Sequence, residues 1–172
     1  VVSVLVSLPV DKKILGMLIG ATLIVLMGII DDIRPLPAKV KLLGQIFCAS
    51  ILVYCGLRID MVNIPFTGKA IYFNFAYLSV PVTIFWIVGI TNTLNLIDGL
   101  DGLAAGVATI AAFSLSYVAY VNEQYGAALM TLAIAGSAVG FLPYNFNPAK
   151  IFMGDTGSLF LGYMLAAISI DG

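Results

Sequence analysis

The stretch Thr91-Asn92-Thr93-Leu94-Asn95-Leu96-Ile97-Asp98-Gly99-Leu100-Asp101-Gly102-Leu103-Ala104 places two carboxylates and two carboxamides between segments otherwise suited to lipid. Acids at a membrane edge are costly to keep and by default mark a functional site. Each Asp-Gly pair also reads as plain turn chemistry, since Gly supplies positive φ and Asp bonds its own backbone. The spacing argues for more. Asn92, Asn95 and Asp98 recur every three residues, so on a helix they share one slowly drifting face and are expected to converge on a single polar pocket. Two further acidic motifs, Asp31-Asp32 and Gly154-Asp155-Thr156-Gly157-Ser158, stand at the ends of other apolar runs. Carboxylates with a few lysines and no histidine suit a hard cation such as Mg²⁺, with Mn²⁺ as the alternative, and phosphate oxygens rather than zinc. In the Gly154 motif, Asp155 or Ser158 reads as a simple helix N-cap. The functional reading is that the free amides and the helix dipole hold phosphate while Asp155 faces the metal.

The composition says what must position these groups. Of 172 residues, 61% are hydrophobic and only 10% charged, and the mean hydropathy is +1.08. Such a chain cannot cover a soluble surface with polar groups, so it reads as a polytopic membrane protein. A net charge of −1 says little about partners, and where the few charges sit says more; no nucleic-acid partner is expected. Cys48 and Cys55 lie seven apart on one expected helix, too far for a disulfide.

In chain order, Val1 to Leu8 looks like the tail of a membrane helix, and Ile14 to Ile30 is just long enough to cross the hydrocarbon. Asp31-Asp32 then ends that span before Pro35 and Pro37 forbid a continuing helix. Lys39 to Gly56 returns. Residues 59–75 read as a hairpin turning at Thr67-Gly68, with Phe66, Tyr72, Phe73, Phe75 and Tyr77 as an interfacial aromatic belt. Ser79 to Leu96, Leu103 to Tyr120 and Ala127 to Leu142 are further spans, and a loop from Pro143 to Ser158 leads to a sixth at Leu159 to Ile170. Small residues spaced four apart, Gly16/Gly20, Gly102/Gly106 and Gly136/Gly140, mark expected close helix approaches. The fold class is therefore an all-α polytopic membrane helix bundle with a small extracytoplasmic β-hairpin between two helices, in one domain over 1–172. The chain begins without Met and stops just after an apolar run, so it reads as incomplete at both ends.

Counting crossings brings Asp31, Asp32, Asp98, Asp101 and Asp155, five of nine acids, to one membrane face from three separate loops. A shared site explains that bias better than solvated loop charges. Basic residues divide four and four between the faces, so they do not set orientation.

Together, Gly28-Ile29-Ile30-Asp31-Asp32 with Lys39 and Lys41, the Asn92 to Ala104 stretch, and Asn147-Pro148-Ala149-Lys150-Ile151-Phe152-Met153-Gly154-Asp155-Thr156-Gly157-Ser158 resemble the polyprenyl-phosphate N-acetylhexosamine-1-phosphate transferases of glycosyltransferase family 4, in order and spacing. The resemblance implies a multi-pass inner-membrane enzyme with its acids facing the cytoplasm. Such an enzyme moves a sugar 1-phosphate from a UDP-N-acetylhexosamine to undecaprenyl phosphate and releases UMP; the family also allows a homodimer. Thr156 and Leu159-Phe160-Leu161-Gly162 are more similar to the UDP-GlcNAc branch that initiates teichoic acid and other wall polysaccharides than to the MurNAc-pentapeptide branch. By the same resemblance, Asp155 is the metal ligand, and Asp31, Asp32, Asp98 and Asp101 form the catalytic acids, with Asp98 toward the nucleotide base. Lys39, Lys41, Asn92, Asn95, Asn145 and Phe152 are implied substrate contacts, Phe152 by stacking on uracil.

On a helix, Asp31 and Asp32 point about 100° apart and so do different jobs. Either could orient or deprotonate the lipid phosphate, and a covalent aspartyl route stays open. A transporter would also gather acids at the ends of Gly-rich helices, but more naturally near mid-membrane in repeated halves. The resembled enzymes also carry a His-bearing loop between later helices, and this chain has no His. The expectation is that residues 1–172 alone insert in a membrane without turning over UDP-sugar.

Overall fold

The computed structural model describes residues 11–63, 70–72 and 76–171. Among the described residues there are six helices: α1 (Lys12–Ile33), α2 (Ala38–Tyr54), α3 (Ala76–Ile97), α4 (Leu103–Val121), α5 (Tyr125–Asn145) and α6 (Gly154–Asp171). Between α2 and α3, β1 (Met61–Asn63) pairs antiparallel with β2 (Ala70–Tyr72), Met61 opposite Tyr72. The expected turn at Thr67-Gly68, most of the aromatic belt and the Val1 to Leu8 tail fall outside the described residues. Cys48 and Cys55 are both free thiols, as their spacing requires.

Four helices among the described residues are long and apolar enough to cross a membrane: Lys12–Ile33, Leu78–Ile97, Leu103–Val121 and Tyr125–Asn145. The chain is a multi-pass membrane protein. Of the remaining two, α2 has only 17 residues, and α6 carries polar groups at both ends. Their place in the bundle compensates. Helix α6 runs through its centre, packed against α1 and α3 and also touching α4 and α5, with every residue from Leu161 to Ile168 buried. A helix enclosed by protein does not depend on lipid for its burial.

Helix α1 starts where Asp11 accepts the amide of Ile14 at 2.8 Å, an N-cap. It does not stop at Ile30. Asp31 and Asp32 lie inside its last turn, and the break falls at Arg34, just before the Pro35 and Pro37 that remove donors and restrict the preceding backbone. Helix α5 likewise runs past Leu142 through Pro143 to Asn145. So near the end a proline leaves only one carbonyl unmatched, and the amides of Lys150 and Ile151 fold back onto Tyr144 O at 2.8 and 3.2 Å.

The helices meet where side chains are smallest. A Cβ on Gly28 would sit 2.5 Å from the Thr156 Cα, and one on Gly162 would sit 2.6 Å from the Thr91 Cα, so α6 touches α1 and α3 backbone to backbone. Gly16 and Gly20 also serve close approach, against Cys55 and Tyr163. The other two glycine pairs differ from expectation, because nothing lies within 4 Å of a Cβ at Gly106, Gly136 or Gly140. Alanine supplies that contact instead. Buried Ala104, Ala105, Ala108 and Ala112 of α4, with Ala127, Ala128, Ala135 and Ala138 of α5, let these two helices pack along their length.

These contacts predict a contrast among glycines. Gly28→Ala or Gly162→Ala should each cost about 1–3 kcal/mol, because the obstacle is backbone that cannot swing aside. Gly140→Ala should be neutral or stabilise by up to about 1 kcal/mol through helix propensity. Thermal unfolding of the three variants in detergent tests this, and equal melting temperatures would refute the assignment.

Candidate functional site

The acid-bearing ends of α1, α3 and α6 meet the start of α2 at one edge of the bundle. From α2, Lys41 Nζ forms an ion pair with Asp31 of α1 and a second one, at 2.5 Å, with Asp155 Oδ2 of α6. From α3, Asn95 Nδ2 donates to Asp155 Oδ1 at 2.8 Å and to Ser158 Oγ at 2.9 Å. Both oxygens of Asp155 are thus engaged, by helices that approach from different sides. Asp31 is 6% exposed, and its other oxygen accepts the Leu36 amide at 2.6 Å, which ties the α1–α2 turn to the ion pair.

Asp32 points elsewhere, as adjacent helical positions must. Its carboxylate accepts the amides of Asp155 at 2.8 Å and Thr156 at 3.1 Å, and the Thr156 hydroxyl at 2.6 Å. It therefore caps α6 from another helix. The first free amides of α6, expected to be open to phosphate, are taken by this carboxylate, and neither Asp155 nor Ser158 provides the cap. Gly154 makes the approach possible: its φ is +66°, and a Cβ there would lie 2.9 Å from both Asp32 carboxylate oxygens.

The three-residue repeat does not converge on one pocket. Asn92 lies one turn below Asn95 and exchanges amide hydrogen bonds with Gln45 of α2, at 2.5 and 3.3 Å. Asn95 reaches Asp155. Asp98 comes just after α3 ends and forms no ion pair among the described residues. Burial, then the negative charges of Asp155 and Asp32, push its carboxyl up from 3.8 to about 6.

Asp101 and Asn145 brace the neighbouring loop. Asp101 Oδ2 accepts Asn147 Nδ2 at 3.1 Å and the Ala149 amide at 3.0 Å. Asn145 is buried; its Oδ1 accepts the Gly102 amide at 3.1 Å and its Nδ2 donates to Ile151 O at 3.0 Å. Gly102 begins α4 at φ +73°, with Phe146 where a Cβ would point. These bonds fix the loop that presents Phe152, whose ring is 76% exposed beside the acids' end of the bundle. Lys39 is exposed and makes no ion pair among the described residues.

Gln45, Thr156 and Ser158 join the network without having been singled out as site residues. A lone amide four residues beyond Lys41, inside an apolar helix, was the available signal for Gln45. Thr156 and Ser158 were visible only as the start of α6, since the partners they meet come from other helices.

Sequence comparison identifies the family of the chain that carries this carboxylate cluster. The model of glycosyl transferase family 4 covers residues 14–172. The chain belongs to glycosyl transferase family 4. Among relatives, it is 43% identical over 162 residues to a protein of Bacillus subtilis described as a probable undecaprenyl-phosphate N-acetylglucosaminyl 1-phosphate transferase, covering 94% of the chain and 45% of that protein. It is 45% identical over 111 residues to the phospho-N-acetylmuramoyl-pentapeptide-transferase of Listeria monocytogenes, covering 64% of the chain and 34% of that protein. The enzyme of the same description from Lactiplantibacillus plantarum is 54% identical over 87 residues, 51% of the chain and 27% of that protein. The chain thus spans less than half the length of these family members.

The charge on Asp98 carries a pH signature. A carboxyl whose folded pKa exceeds its unfolded value binds its proton more tightly when folded, so ionising it costs stability as pH rises. That cost begins above 3.8 and is complete above about 6. Without divalent cation, Asp98→Asn should therefore melt like the wild type near pH 4 and above it at pH 7. Melting curves at both pH values check this, and a constant offset between the two proteins would exclude the mechanism.

Proposed function

We propose that the protein transfers GlcNAc 1-phosphate from UDP-GlcNAc, or a close UDP-N-acetylhexosamine, to undecaprenyl phosphate and releases UMP. The reaction takes place at the cytoplasmic face, at the first membrane step of wall polysaccharide or teichoic-acid synthesis. The observation that carries the reading is Asp155, held through both oxygens by Lys41 and Asn95, with the partly desolvated Asp98 beside it. The family and the descriptions of the relatives support it.

The donor set suits Mg²⁺. Among the described residues no three Asp, Glu, His or Cys side chains form a protein-only cage. Mg²⁺ typically takes one or two carboxylates and completes its shell with water and substrate phosphate. Asp155 would hold it, with Asp98 contributing charge, and its chemistry there is neutralisation of the pyrophosphate and the departing UMP. Like charges gathered at Asp98, Asp155 and Asp32 are what a cation would relieve.

The remaining work belongs to the chain. An oxygen of the lipid phosphate attacks the sugar-bearing phosphorus of the donor; the bond to the UMP oxygen breaks and its electron pair leaves with UMP. The acceptor is already an anion near neutral pH and needs little deprotonation. Catalysis then rests on positioning and charge. Lys41 supplies a cation that can follow the migrating negative charge, held meanwhile between Asp31 and Asp155. Lys39 is free to meet phosphate, and exposed Phe152 offers a face for the uracil ring.

The alternative is transfer of phospho-MurNAc-pentapeptide, since identity to the relatives of that description is as high over the shared part of the chain. Coverage of 94% of the chain favours the GlcNAc reading. UMP release by the purified full-length enzyme in detergent, with undecaprenyl phosphate and a panel of UDP-sugars, should be fastest with UDP-GlcNAc. Asp155→Asn should lower it by roughly 10²–10³-fold or more, with helical content unchanged. Preference for UDP-MurNAc-pentapeptide would reassign the donor, wild-type turnover in Asp155→Asn would remove the metal assignment, and substrate uptake without UMP would favour transport.

A further inference from the structure

We propose that Gln45, which lies below the acids and touches none of them, is a positioning residue that sets the geometry of Asp155. The inference rests on the transferase reading above. Gln45 is 2% exposed in the middle of an apolar helix, where an unbonded amide is costly. Its whole side chain is committed to Asn92: Nε2 donates to Asn92 Oδ1 at 3.3 Å, and Oε1 accepts Asn92 Nδ2 at 2.5 Å. Asn92 is further steadied by a 2.8 Å bond from the same nitrogen to Val88 O of its own helix.

The consequence comes from helix periodicity. Gln45 follows Lys41 by four residues on α2, and Asn92 precedes Asn95 by three on α3, so both pairs lie one turn apart on the facing sides. The lower rung joins Gln45 to Asn92. The upper rung joins Lys41 to Asn95 through the two oxygens of Asp155. Sliding or rotating α2 against α3 breaks the lower rung and moves both donors of the upper one. Lys41 alone cannot fix this, because a flexible four-carbon stem follows its partner. The amide pair, bonded in both directions, has less slack.

Three variants test the assignment. Gln45→Met keeps the volume and loses both bonds; it should lower kcat for UMP release by roughly 10- to 100-fold with the KM for UDP-GlcNAc within about twofold of wild type. Exchanging the pair, Gln45→Asn with Asn92→Gln, keeps the combined reach and should restore most of kcat. The apolar pair, Gln45→Met with Asn92→Leu, leaves no unpaired amide and should recover the melting temperature but not kcat. Wild-type kcat in Gln45→Met, or an apolar pair that recovers both stability and turnover, would overturn the positioning role alone. A full-length wild-type enzyme that releases no UMP from any UDP-sugar would remove the transferase reading, and this inference with it.

Discussion

One ammonium group organises the working end of this bundle. Lys41 reaches from α2 between Asp31 of α1 and Asp155 of α6, and without it two carboxylates would face each other in a partly dry space. Buried charge is tolerable only when paired, and removing one partner of such a pair costs about 3–5 kcal/mol. The ends of three helices meet around it. The ion pair is weak evidence for stability in itself, since an apolar replacement could pack as well. What it secures is arrangement: a negative cluster at one edge of the bundle with a single ammonium paired inside it.

The neighbouring Asp32 supplies the second constraint. A helix start carries unmatched amides, and in α6 those of Asp155 and Thr156 are matched by a carboxylate from α1. This cap works only because Gly28 and Gly154 let the two chains meet at backbone distance. Packing and electrostatics are therefore one device here. Small residues bring α1 and α6 together, and the acid that follows on α1 both terminates α6 and holds Asp155 in place beside Lys41.

The central position of α6 explains how a helix with polar ends can sit within a membrane bundle. Its partners α1, α3, α4 and α5 provide the apolar surroundings, so its polar first turn can be spent on the site. The loop before it is equally constrained. Asn145 and Asp101 spend their side chains on the backbone at Gly102, Ile151 and Ala149, while Phe152 stays exposed and Asp98 forms no ion pair among the described residues.

The sequence by itself determined the class, the six helices of the described residues and which ends carry the acids, because apolar length and the placement of charges are local properties of the chain. It also required Asp31 and Asp32 to diverge, since successive helical side chains point about 100° apart. It did not show that both lie inside α1, because the prolines that end the helix act only on the residues next to them. Nor did it show that Asn92 leaves the acid cluster for Gln45, that Asp32 occupies the amides of α6, or that alanines rather than Gly106, Gly136 and Gly140 carry the contact of α4 and α5. Each of those outcomes depends on how two helices are rotated and slid against each other. Side-chain volume at distant positions sets that relation, and no spacing within one segment records it.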